Sequence, residues 1–156
     1  MSLVIREAVA ADLPPLLRML AEDSIREVAE NVPSSSEVDG RYVCAFAQIA
    51  ADPNSLLLVA ELSGELVATA QLNFIRQLSY FGGLIAQVES VRTVSHLRGQ
   101  GIGKTLMDWV IDESRRRGCA RLQLTTNVAR VDAHRFYERL GFKASHVGMK
   151  LYLREG

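Results

Sequence analysis

Arg98-Gly99-Gln100-Gly101-Ile102-Gly103-Lys104-Thr105 sets three alternate glycines between a β-like segment, 88–94, and an amphipathic helix. Glycines crowded at a strand-to-helix turn free backbone N–H groups to face outward. The N-terminus of the helix behind them adds roughly half a unit of positive charge. Together they form a seat for a phosphate or pyrophosphate. Arg98 and Lys104 add charge to it, although a lysine in the first turn of a helix can equally be a solvated one.

Two nucleotide motifs fit this turn poorly. The P-loop is G-x-x-x-x-G-K-[ST]; Gly103-Lys104-Thr105 match its end, but Arg98 stands where its first glycine belongs. A dinucleotide turn is G-x-G-x-x-G, whereas Gly99, Gly101 and Gly103 give G-x-G-x-G. The segment 121–125 runs into Thr126 and Asn127, so the acidic residue that would bind a ribose is also missing.

The elements that must position the turn follow from periodicity. The segment 3–9 reads as a strand. Asp12 caps a helix with Pro14 and Pro15 in its first turn, where prolines are tolerated, and with Leu13, Leu16, Leu17 and Leu20 as its buried stripe. A polar loop, 31–40, leads to a second helix over 41–51. The apolar run 55–62 is a strand, turned at Ser63-Gly64-Glu65 into a long partner, 66–77, and turned again at Phe81-Gly82-Gly83 into 84–94. After the glycine turn, Ile102, Leu106, Trp109 and Val110 line one helix face, and Gly118 ends that helix. A strand over 121–125, a helix capped by Asp132 and closed at Leu140-Gly141, and a last strand over 147–153 complete the order. The expected class is mixed α/β (α+β) in a single domain spanning 1–156.

With 156 residues, nearly half of them apolar, the chain can bury a sizeable core. Eighteen basic residues balance eighteen acidic ones, so no global field gathers nucleic acid or an anionic membrane. No apolar run approaches the ~20 residues that span a bilayer, and the N-terminus does not read as a signal peptide. Cys44 and Cys119 fit neither a metal spacing nor a disulfide framework. A reducing cytoplasm is the expected setting, and no metal is expected. Arg115, Arg116 and Arg117 read as cations complementing a helix C-terminus.

Arg98-Gly99-Gln100-Gly101-Ile102-Gly103 satisfies [QR]-x-x-G-x-[GA], and Ala133 to Phe142 satisfies A-x-x-F-Y-x-x-x-G-F with one helix and one strand between. In both motifs and their spacing the chain resembles the GNAT superfamily of acyl-CoA-dependent N-acyltransferases. The strong likeness covers 88–142. It implies a central, mixed but mostly antiparallel sheet flanked by helices, with acetyl-CoA (coenzyme A) as cofactor. It implies that Arg98, Gly99, Gln100, Gly101, Ile102, Gly103 and Lys104 hold the pyrophosphate. Backbone groups of Val91, Arg92 and Thr93 would pair with the pantetheine arm, one amide polarising the thioester carbonyl. Tyr137, a phenol of pKa about 10, is the candidate general acid for the leaving thiolate. Glu89 is the candidate base, provided burial lifts its pKa, or else a strand carboxylate paired with Arg76 or Arg92; His134 is the reserve. Many members carry an asparagine seven residues before the tyrosine; here that position is Arg130, and Asn127 is the alternative cofactor contact.

The acceptor would be the amine of a small molecule or a peptide, without nucleic acid or membrane and with a homodimer possible. Asp23, Glu27, Glu30, Glu37 and Asp39 could attract such a cation or simply face solvent. The alternative to an enzyme is a non-catalytic acyl-CoA sensor or interaction module on the same fold.

Overall fold

The structure is a computed structural model, which describes residues 2–22 and 37–154. Five strands form one sheet in the order β1-β2-β3-β4-β5: β1 (Leu3–Glu7), β2 (Ser55–Leu62), β3 (Glu65–Arg76), β4 (Leu84–Thr93) and β5 (Arg121–Gln123). The first three pairings are antiparallel; a tight turn joins β2 to β3 and a short corner joins β3 to β4. The last, β4 with β5, is parallel, because the helix α4 (Ile102–Arg116) crosses over between them. The mixed, mostly antiparallel sheet expected from the sequence is the one observed.

Helices cover both faces. Leu56, Leu58 and Ala60 of β2 join Ala70, Leu72 and Val88 in a core closed by Ile102, Leu106, Met107 and Val110 of α4. On the other face Val59 packs on Leu16 and Met19 of α1 (Leu13–Ala21). The alternation along β2 therefore feeds two layers, which explains why 56–60 is apolar on both faces. The helix α2 (Gly40–Ala51) lies against β2. A single turn α3 (Ser79–Gly82), with Tyr80 and Phe81 at left-handed φ of 54° and 56°, makes the β3–β4 corner. The helix α5 (Val131–Arg139) follows β5.

Near the N-terminus Arg6 joins three elements. It donates to Asp12 at 2.8 Å and to Glu61 at 3.1 Å. Asp12 stands at the start of α1 as expected, but its carboxylate accepts from the Val9 amide rather than from a helix amide.

Two expectations are corrected. α5 begins after Arg130, not Asp132, and no side chain caps it. The segment 147–153 forms no strand: it joins no ladder, and β5 remains the edge. A strand exists only with a partner, and the described residues present none to that segment.

Candidate active site

The site begins at an irregularity in β4. Thr69 faces Arg92 and Gln71 faces Glu89, so β4 takes three steps where β3 takes two. The extra residue is a β-bulge, and Ser90 within it adopts a left-handed φ of 55°. β5 pairs with β4 only from Ile85 to Gln87. Beyond that point β3 still flanks β4, but β5 does not. Among the described residues, that edge of β4 is left without a strand partner over 88–93, a gap that we treat as the candidate cleft, with Val91, Arg92 and Thr93 half-buried along it.

The glycine turn lies at the end of this strand. Gly99 and Gly101 have φ of 82° and 84°, and a Cβ on either would meet nothing within 4 Å. These conformations are the reason for glycine here: the left-handed region costs other residues roughly 1–2 kcal/mol. The Thr105 amide is held by the Gly101 carbonyl at 3.0 Å. Amides ahead of it at the start of α4 have no preceding helical carbonyl to reach and point out of the helix end. Arg98 folds back, its Nε donating to the Thr93 carbonyl at 3.4 Å. Lys104 pairs with Asp108 at 2.7 Å on the exposed helix surface, which leaves the backbone as the main feature of the seat.

α5 closes the cleft. A Cβ on Gly103 would lie 3.5 Å from Phe136 Cζ and 3.5 Å from Thr93 Oγ1. Strand, turn and α5 thus converge on one glycine. Tyr137 follows Phe136 and packs edge-on against it and against Phe142, with centroids 5.1 and 5.7 Å away. Burial pushes the Tyr137 phenol above its ordinary value, while the nearby charges of Arg92 and Arg130 oppose that shift. The phenol therefore carries its proton at neutral pH.

Glu89 is exposed on β4, contrary to the burial required to tune it. It pairs with neither arginine suggested for it. Gln87 Nε2 donates to it at 2.7 Å; Gln123 Nε2 donates to Gln87 at 2.7 Å, and Arg121 Nε donates to Gln123 at 2.9 Å. This relay bridges β4 and β5 where the two strands part.

Asn127 is engaged locally, its Oδ1 accepting from the Ala129 amide and its carbonyl from the Arg130 amide, each at 2.9 Å. His134 Nε2 lies 3.0 Å from the same carbonyl, so its ring ties α5 to that loop. Burial pushes the Cys119 thiol up, away from a reactive thiolate. Asp39 binds Arg41 and the Arg41 amide at the start of α2; Asp23, Glu27 and Glu30 lie outside the described residues. Among the described residues no helix is long and apolar enough to cross a membrane, and no cluster of His, Cys, Asp and Glu could hold a metal.

Residues 19–142 match the model of the acetyltransferase (GNAT) family. The chain belongs to the GNAT family. It is 37% identical over 101 residues to an aminoalkylphosphonate N-acetyltransferase of Salmonella typhimurium, covering 65% of each chain. It is 31% identical over 91 residues to a glucosamine 6-phosphate N-acetyltransferase of Trypanosoma brucei brucei, covering 58% of this chain and 60% of that one. The aligned part thus spans somewhat under two thirds of either relative. A solved structure from Bacillus halodurans C-125, described as a transcriptional regulator, is 43% identical with a TM-score of 0.92, covering 97% of this chain and 100% of that one.

Within this GNAT domain, three features escaped the sequence reading. Ser90 gives no glycine-like warning of its positive φ. Gln87 and Glu89 share a strand face by their i, i+2 spacing, but the partner Gln123 lies on a strand 36 positions away. Phe136, only a motif position in the sequence, is the side chain that meets the glycine turn.

Proposed function

We propose that this chain is an N-acetyltransferase that moves the acetyl group of acetyl-CoA to the amine of a small molecule by direct attack in a ternary complex. The observation that carries the reading is the unpaired edge of β4 beyond Gln87, ending at the glycine turn. Acetyl-CoA supplies the thioester-activated acetyl group. Its phosphates fit the outward amides of the turn, with Arg98 and Arg130 adding charge. Val91, Arg92 and Thr93 offer backbone donors and acceptors along the cleft, where an extended amide-bearing arm pairs as a strand would. An amide there polarises the thioester carbonyl.

Tyr137 gives a proton to the sulfur as the C–S bond breaks. Glu89 takes the proton that the amine loses as the C–N bond forms, reaching it through water from its exposed position. Both relatives' names combine an amine with a phosphorus oxyanion; Arg92, whose charge is felt at Tyr137, is the partner such an acceptor would use.

Thiol release from acetyl-CoA, followed with a panel of small amines, aminophosphonates and peptides, tests the reading. Release with at least one small amine is expected, and Glu89→Gln should lower it by about 10²-fold. Tight coenzyme A binding without release for any acceptor would instead support a non-catalytic sensor, a reading favoured by the description of the Bacillus halodurans structure as a regulator.

A further inference from the structure

Gln87 and Glu89 stand two positions apart on β4, and Arg121 and Gln123 two apart on β5, so each pair shares a strand face. The parallel register sets Gln87 beside Gln123 as the last pair before the strands part. All four side chains therefore meet on one face of the sheet. Arg121 also reaches the β3–β4 corner, its Nη1 donating to the Tyr80 hydroxyl at 2.6 Å. Tyr80 is held there at a φ of 54°. A chain of hydrogen bonds thus runs from the corner to Glu89 through Arg121, Gln123 and Gln87.

The chemistry of its ends fixes the direction of this chain. A guanidinium only donates, so Arg121 takes the amide oxygen of Gln123. That turns Gln123 Nε2 toward Gln87, whose own oxygen must accept, and leaves Gln87 Nε2 to donate. An ionised carboxylate only accepts, and Glu89 Oε1 is the acceptor, 2.7 Å away. Reversing either amide would set N–H against N–H or oxygen against oxygen. Polarisation along such a chain strengthens each of its bonds. Gln71, which faces Glu89 from β3, donates instead to Asn73 at 3.4 Å.

We infer that Gln123 is a positioning residue for the transfer reaction: held by Arg121, it orients the Gln87 amide, which in turn holds Glu89 Oε1. The inference rests on the reading of Glu89 as the base. An exposed glutamate otherwise spreads over many rotamers, and ordering it as the amine arrives would cost side-chain entropy. The relay orders it beforehand, next to the bulge at Ser90 and the 91–93 backbone. With Oε1 engaged, Oε2 is the oxygen that receives, through water, the proton the amine loses.

The first measurement needs no acceptor. In nitrogen-15-labelled protein the Gln87 Nε2 protons should move upfield in Gln123→Met, which keeps the bulk of Gln123 and neither of its hydrogen bonds. They should also move upfield in Glu89→Gln, which keeps an acceptor without its charge. The second measurement is thiol release from acetyl-CoA with an aminoalkylphosphonate. Gln123→Met should lower kcat about tenfold, a part of the general-base contribution, with the KM for acetyl-CoA and the circular dichroism unchanged. In the Glu89→Gln background it should cost nothing further. Gln87 signals unmoved by Gln123→Met, or an equal loss with and without Glu89, would overturn the inference, and the signals decide the relay whatever amine is turned over. Full turnover in Glu89→Gln with the signals still responding would instead overturn the reading of Glu89 as base.

Discussion

Upstream and downstream of Ser90, strand β4 meets different neighbours. From Ile85 to Gln87 it lies between β3 and β5, and Ile85 and Ala86 are 2% and 0% exposed. From Val91 to Thr93 it keeps β3 alone, and its residues are half-buried. Upstream, ladders on both sides occupy the backbone polar groups, and the strand serves the core. Downstream, no strand takes the second edge; side chains reach it instead, Arg92 donating to the Val91 carbonyl at 2.9 Å and Arg98 to the Thr93 carbonyl at 3.4 Å. The bulge and the early end of β5 make this difference, and neither requires an unusual side chain.

The comparison breaks most severely if chemistry does not belong to the downstream half. Tyr137→Phe should lower kcat by about 10²–10⁴-fold with the thermal midpoint unchanged, measured by thiol release and calorimetry. Undiminished turnover would remove Tyr137 from the mechanism.

A substitution remote from the cleft sharpens the comparison by separating fold from site. The hydrogen bond from Arg6, above all, holds the Asp12 carboxyl below the ordinary carboxylate range, helped by the Val9 amide and opposed by burial. A depressed folded value means that the contribution is fully present above the unfolded value of about 3.9. It is lost as pH falls through the folded value. Asp12→Asn should cost about 1.5–3 kcal/mol at neutral pH, less in acid, and leave coenzyme A affinity unchanged. Urea unfolding at both pH values with calorimetric binding checks this.

At the turn the expected effect is smaller. Gly101→Val forces a β-branched residue to a φ of 84°, at a cost of about 1–2 kcal/mol. Because that strain sits in the anion seat, coenzyme A affinity should fall roughly tenfold, equivalent to about 1.4 kcal/mol. Lys104→Ala should change least. Its exposed pair with Asp108 is worth about 0.3–0.5 kcal/mol, and affinity should stay within about threefold if the backbone dominates. A loss as large as that of Gly101→Val would move the weight from amides to the lysine.

The parts legible in sequence are those whose signal is local. Glycine spacing at 99, 101 and 103 marks a turn wherever it occurs, and the periodicity of Ile102, Leu106 and Val110 needs only one helix to be read. The run 55–62 was legible as a strand because its five central residues, 56–60, are all apolar. What stayed hidden depends on neighbours distant in sequence. The bulge at Ser90 is set by β3, and the exposure of Glu89 follows from where β5 stops. The strand expected over 147–153 does not form, because pairing requires an edge that the described residues do not bring to it. The cap of α5 failed for a smaller reason: Asp132 suits a helix start, and Arg130 takes that place through the 127–130 turn.

The division of β4 is tested most directly by backbone amide chemical shifts recorded as coenzyme A is added. The amides of Val91, Arg92 and Thr93 and those of Gly99 to Lys104 should move together and saturate with one dissociation constant, while Ile85, Ala86 and Gln87 stay in place. Saturable binding that leaves 91–93 and 99–104 unmoved would contradict the assignment of this cleft.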